Sequence, residues 1–227
     1  MPAFTFRPLT PERWPDLERL FGANGACEGC WCTFFRYARA DWRAGKGEGN
    51  RARQRAYVDA GHVPGLLAYE GNAPVGWVAV EPREAYPVVL ASRVTRPGPG
   101  RDAAGTWAIT CFWVPRAFRG RGLMRALVDA AVAHARAGGA ARVEAYPVDP
   151  AGHTDAGALY HGHARVFRAA GFRVLARPSS PRAIVGLELG EGAKLSAPRA
   201  RRAPARARAR SKPRRRPSRS SPSRRSR

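Results

Sequence analysis

The stretch FWVPRAFRGRGLMRALVDAAVAHARAGG, from Phe112 to Gly139, constrains this chain more than any other part of it. It opens with apolar and aromatic residues suited to a strand. It then passes Pro115 and crosses the basic, glycine-spaced run Arg119-Gly120-Arg121-Gly122. From Leu123 the spacing predicts an amphipathic helix. Leu123, Leu127, Ala131 and His134 recur at helical period, with Val128 and Val132 beside them, and Gly138-Gly139 supplies the stop. A strand, a glycine loop and a helix N-terminus in that order build an anion site, because unpartnered backbone N–H groups point out of the loop and the helix dipole favours negative charge. Gly120 and Gly122 allow a phosphate close to the backbone, while Arg119 and Arg121 add charge. A tight turn with solvated arginines is the plainer alternative. Two glycines alternating with two arginines favour a phosphate-bearing ligand.

The residues on either side predict a sheet with helices. Phe4-Thr5-Phe6-Arg7 alternates as a first strand, and Thr10 caps a helix with Pro11 in its first turn and a buried stripe of Trp14, Leu17, Leu20 and Phe21. A loop rich in thiols and aromatics, CEGCWCTFFRYARADW, runs from Cys27 to Trp42. A second helix is expected over Asn50–Ala60 with Ala56 and Tyr57 inward. Pro64 to Pro82 reads as a hairpin about Gly71-Asn72. Arg83 to Arg93 is a short helical piece, and Arg96 to Arg101 a loop. Thr106–Val114 is the most apolar strand and is placed centrally. Strands are expected over Ala141–Pro147, Phe172–Leu175 and Ala183–Leu189. Between the first two of these, a helix is expected from Thr154 or Asp155 to about Ala170, ended by Gly171. The fold class is therefore α/β, or α+β: a mixed sheet of six to seven strands with helices on both faces.

Charge divides the chain. Of the net +23, 15 Lys and Arg lie between Lys194 and Arg227, and no acidic residue follows Glu191. Residues 1–190 are expected to form one domain and 191–227 a disordered basic tail of Arg, Ser, Pro and Ala. Such a tail suits non-specific, salt-sensitive binding to nucleic acid through residues 194–227, or a solvated extension without a dedicated partner. No apolar window of membrane-spanning length and no secretory leader are seen, and three of the four cysteines crowd into Cys27–Cys32. These features point to a reducing cytoplasm without a membrane role. Oligomeric state is not fixed by the sequence; a homodimer is one expectation.

Strand, Arg-x-x-Gly-x-(Gly/Ala) loop, helix, strand, and a later helix ending in Gly-Phe resembles the GNAT (Gcn5-related N-acetyltransferase) superfamily. The matching residues are Arg119-Gly120-Arg121-Gly122-Leu123-Met124 and Gly171-Phe172, and the resemblance covers about residues 4 to 189. GWVAVEPRE and the Cys-Trp-Cys segment resemble an uncharacterised bacterial subgroup of these enzymes. The resemblance implies acetyl-CoA with its pyrophosphate on the Arg119–Met124 amides and its pantetheine arm along Phe112, Trp113 and Val114. The thioester would sit where that strand and Val143–Tyr146 part. Two departures stand out: Met124 replaces a small residue, and Phe167 stands four before Gly171, where a proton-donating tyrosine is usual.

Transfer to an amine needs a base or water chain, a donor for the thioester oxygen and an acid for the leaving thiolate. The donor is most simply a backbone N–H on the Thr106–Val114 strand. Glu144, mid-strand beside the expected cleft, is the first candidate base and Glu81 the second. A solvent-facing or ion-paired glutamate is the alternative for Glu144, and capping or a surface pair for Glu81. Tyr160, expected two helical turns before Phe167, is the candidate acid or a packed tyrosine, with His161 and His163 as further candidates. Cys27, Cys30 and Cys32 lack the fourth ligand that a closed zinc site needs, so a substrate wall or packing is expected and no metal. Cys111 reads as a small buried hydrophobe. The expected function is acetyl transfer from acetyl-CoA to a primary amine. The rival reading is a nucleic-acid-associated protein that binds acyl-CoA on the same scaffold without turnover.

Overall fold

A computed structural model describes residues 4–96, 98, 104–149, 160–179 and 181–190. The expected tail, the Arg96–Arg101 loop apart from Arg96 and Gly98, and the caps at Thr154 or Asp155 lie outside them.

Among the described residues, seven strands form one sheet in the order β1-β2-β3-β4-β5-β7-β6. The strands are β1 (Phe4–Pro8), β2 (Gly65–Glu70), β3 (Ala73–Pro82), β4 (Thr106–Trp113), β5 (Arg142–Ala145), β6 (Arg173–Ser179) and β7 (Arg182–Glu188). Every pairing is antiparallel except β4 with β5, so β4 is central and the sheet mixed, as the apolar pattern predicts. The helices are α1 (Trp14–Phe21), α2 (Arg39–Ala44), α3 (Glu48–Asp59), α4 (Pro87–Ala91), α5 (Leu123–Ala137) and α6 (Ala164–Ala169).

Two layers of core result. On one face, Leu123, Leu127, Val128, Ala131 and Ala135 of α5 pack against Val78, Ile109, Phe112 and Val143, with Phe167 and Phe172 beside them. On the other, the α1 stripe of Trp14, Leu17, Leu20 and Phe21 meets Leu67, Trp77 and Val58. Each fully buried large side chain contributes roughly 1.5–3 kcal/mol. No helix among the described residues is long and apolar enough to cross a membrane.

Several local expectations are corrected. Thr10 has the extended backbone of a cap but makes no capping side-chain bond. A 3-10 turn, Pro11–Arg13, intervenes before α1, and Thr10 Oγ1 accepts from Arg13 instead. The inner face of α3 is Asn50, Gln54 and Val58, with Ala56 exposed and Tyr57 half-buried. Asn50 is turned inward because its Nδ2 donates to the carbonyls of Gly29 and Trp42 (3.2 and 3.1 Å), a task the apolar spacing does not reveal. On α5, Ala135 rather than His134 completes the buried stripe. The Cys27–Trp42 loop ends in α2. Finally, α6 starts only at Ala164, capped by His163, whose Nδ1 accepts from the Arg165 amide.

Candidate active site

The site begins with a break in the sheet. β5 pairs with β4 only over Thr106–Ile109, so Thr110–Trp113 continue without a β5 partner. Against β3, Ala79 faces Cys111 and Val80 faces Ile109, which leaves Thr110 as an inserted residue. This bulge switches the alternation of faces. Ile109 and Phe112 both join the α5 core, while Cys111 and Trp113 turn to the α1 side.

The segment before α6 spans the gap. The Val148 amide donates to the Gly162 carbonyl (3.0 Å) and the Ala164 amide to the Val148 carbonyl (2.9 Å). Gly162 has φ of 80°, and a Cβ there would come within 2.8 Å of the Phe167 ring; glycine is what lets the segment lie so close. His161 is buried, with Nδ1 3.0 Å from the Thr110 carbonyl oxygen. Because that oxygen can only accept, Nδ1 carries the proton and Nε2 is the ring's acceptor. Burial, then the nearby Arg182 charge, depress its pKa to about 3, so the ring is neutral.

From the gap a groove of about 440 Å³ runs along Phe112, Trp113 and Val114 to Arg119, Gly120, Gly122, Leu123 and Met124. Gly120 and Gly122 take φ of 74° and 79°, the left-handed region that a phosphate-binding turn requires of glycine. Gly122 caps α5 without a side-chain bond, so the first amides of this 15-residue helix open onto the groove. The arginines divide. Arg119 lines the groove, its Nε donating to the Val114 carbonyl (3.0 Å). Arg121 does not line it; its guanidinium pairs with Glu70 and lies over the Phe4 and Phe118 rings. Arg125 and Arg165 also line the groove and were missed. Arg125 could have been found from its place one turn into α5, but Arg165 only once the start of α6 is known.

Tyr160 is brought to the groove's inner end, though from the segment before α6 and not from the helix. Its ring, 38% exposed, lies 4.1 Å from that of His161. It also lines two further cavities. One, of about 300 Å³, is walled by Cys27, Cys30, Cys32, Cys111 and Trp42. The other, of about 400 Å³, is walled by Phe34, Phe35, Tyr37, Tyr146, His161 and Arg182, with residues 88–95 closing it. Tyr160 is common to all three.

The two glutamates do not reach these spaces. Glu144 is 1% exposed, accepts from Arg83 Nη1 (3.2 Å) and Tyr146 Oη (3.4 Å), and lines none of the three cavities. Its expected position beside the cleft is therefore corrected: the side chain is inside the protein, held by a cation from the turn after β3. Glu81 is likewise buried, bound by Arg36 and by Tyr57 Oη (2.9 Å). Burial pushes its carboxyl up, against the pull of Arg36. Phe167 is sealed in the core between Phe112 and Phe172.

The thiol wall is tightly built. Among the described residues, every non-glycine residue at positive φ lies here: Ala26, Glu28, Trp31 and Cys32. Asn50 pins the segment, and Trp31 stacks on Trp14. Cys32 Sγ accepts from Trp77 Nε1 (3.0 Å). A hydrogen bond from Cys111 holds the Cys32 thiol below its usual range and pushes Cys111 above. Burial raises Cys30 to about 11. All four cysteines are free, and no three His, Cys, Asp or Glu among the described residues come together to hold a metal ion.

No curated protein matches the sequence. Solved structures resemble the chain at low identity. A GCN5-related N-acetyltransferase from Kribbella flavida is 19% identical, covering 82% of this chain and 98% of that one, with a TM-score of 0.49. PaiA N-acetyltransferase from Thermoplasma acidophilum, in complex with coenzyme A, is 10% identical over 82% and 99%, with a TM-score of 0.48. YncA from Salmonella typhimurium, with its cofactor acetyl-CoA, is 17% identical over 84% and 96%, with a TM-score of 0.49. The sequence model described as the Acetyltransferase (GNAT) family matches residues 31–163, which takes in Cys32 and Cys111 of the thiol wall, the β4 bulge, the glycine loop and the Tyr160 segment. The chain belongs to the GNAT acetyltransferase family.

Proposed function

We propose that this protein transfers the acetyl group of acetyl-CoA to a primary amine by direct attack within a ternary complex. The observation that carries the reading is the continuity of the groove from the uncapped N-terminus of α5, along the free edge of β4, to Tyr160 at the mouth of two further cavities. The pyrophosphate would rest on the Gly120–Met124 amides with Arg119 beside it. The pantetheine amides would pair with the backbone of Phe112–Val114 along the edge of β4 that β5 leaves open.

In this reading the acceptor enters from the α1 side of the sheet. Its nitrogen attacks the thioester carbon, and a β4 amide re-aimed by the Thr110 bulge donates to the developing oxyanion. The C–S bond then breaks and the CoA thiolate takes its proton from Tyr160, which stands in for the phenol absent at Phe167. Glu144 and Glu81 are internal counterions. The attacking amine's proton therefore leaves through water in the cavities rather than to either glutamate.

Calorimetric titration with acetyl-CoA tests the donor site. Arg119→Ala is expected to weaken binding by about 5- to 20-fold, the scale of one charge-assisted contact. Arg121→Ala, which removes a guanidinium already paired with Glu70, is expected to change it less than about two-fold. Equal, small effects of both would remove the groove from consideration as the donor site.

A further inference from the structure

We infer that the acceptor carries an anionic group, a carboxylate or a phosphate, beside its amine, and that Arg182 and Arg39 hold that group in the 400 Å³ cavity behind Tyr160. The inference rests on the reading above and specifies its second substrate.

Among the described residues, the charged side chains lining this cavity are Arg39 and Arg182, and no carboxylate lines it. Three little-exposed acids among the described residues are already engaged. Glu144 is bound to Arg83, Glu81 to Arg36, and Asp149 to both Arg168 and Arg177. Arg182, at the start of β7, is half-buried and has no ion-pair partner among the described residues. His161, its neutral neighbour in the wall, supplies no counter-charge. A half-buried guanidinium beside aromatic walls offers a ligand carboxylate or phosphate its fork of donors for two parallel bonds.

Arg39 is fixed from the other side. Its guanidinium lies 5.0 Å from the Phe34 ring centre and 5.7 Å from that of Trp42, which holds the charge at the rim. The rings of Phe34, Phe35 and Tyr37 suit an apolar or aromatic body between the two ends of the acceptor. A polyamine or a lysine side chain on a basic peptide would instead place a second cation against two arginines, so the same wall that attracts an amino acid repels those acceptors.

Matched pairs test this with the 227-residue chain by calorimetry, with and without bound CoA. L-Phenylalanine is compared with 2-phenylethylamine, and O-phosphoethanolamine with ethanolamine. The anionic member of at least one pair is expected to bind ten-fold tighter or more, and the pair that discriminates identifies carboxylate or phosphate. Arg182→Gln should reduce that ratio to below about two-fold while leaving acetyl-CoA affinity unchanged, with Arg39→Gln giving a smaller loss. Uncharged members binding as well as their anionic partners, no binding by either anionic member, or discrimination that survives both substitutions would each overturn the inference. Absence of acetyl-CoA binding by the unaltered chain would instead overturn the donor-site reading, since the pairs are also read without cofactor.

Discussion

Tyr160 is the single side chain shared by the donor groove and the two cavities behind it, and turnover is expected to depend on it. Tyr160→Phe keeps the ring and its contact with His161 but removes the proton. The expected result is a fall in kcat of about 100-fold, the lower range for a general acid, with acetyl-CoA affinity unchanged by calorimetry. An unchanged kcat would return Tyr160 to a packing role. The sequence pointed to this residue through an incorrect helix. It was expected two turns before Phe167 on a common face, yet α6 starts at Ala164 and the tyrosine reaches the groove from the segment that precedes it. The Arg119–Gly122 run was legible because its geometry is local, set by two glycines at positive φ and the helix entrance that follows. Glu144 was misplaced because strand alternation tells which face a residue shares but not what meets it there. Its partner, Arg83, lies 61 positions away. The same holds for Glu81 and Arg36, 45 apart.

At the scale of elements, strand and helix order followed from period and punctuation, and what escaped were the features that make a site out of a sheet. The Thr110 bulge leaves no mark in the apolar run, since Ile109, Thr110, Cys111 and Phe112 read as continuous strand. The α3 face escaped because two of its three buried residues are the amides Asn50, which serves the neighbouring loop, and Gln54, so that with Val58 they make no hydrophobic stripe. The Arg83–Glu144 pair, both side chains 1% exposed, ties β5 to the turn after β3 just where β4 and β5 separate. Removing Glu144 takes a buried carboxylate away from the Arg83 guanidinium, which stays charged. Glu144→Ala is therefore expected to cost about 3–5 kcal/mol in urea unfolding. Acetyl-CoA affinity measured on the folded fraction should stay within about two-fold, as a counterion role demands. A large loss of turnover with unchanged unfolding would instead restore Glu144 as the base.

For the whole molecule, the densest run of basic residues and the residues of the site lie in different parts of the sequence. The residues that line the groove and its cavities run from Ala26 to Arg182, whereas 15 of the chain's 40 Lys and Arg lie in residues 194–227. A polycation linked to a separate catalytic body adds affinity for a polyanion without altering the chemistry, and that affinity falls steeply with salt. For duplex DNA, log K declines against log salt with a slope of about −0.9 per phosphate neutralised. We therefore expect a chain ending at Gly190 to retain its acetyl-CoA affinity and its choice between matched amines. Retention on duplex DNA at low salt should be largely lost, together with the steep salt dependence of the 227-residue chain. Titrations of both chains with a duplex of mixed sequence at two or more salt concentrations, beside acetyl-CoA calorimetry, read the two properties independently. If the shortened chain bound DNA with the same affinity and slope, the basic body would be the binding surface. If it lost acetyl-CoA, the tail would belong to the donor site. Retained donor binding with lost DNA binding would leave the tail as the element that sets where the enzyme works, and the Arg182 cavity as the element that sets what it acetylates.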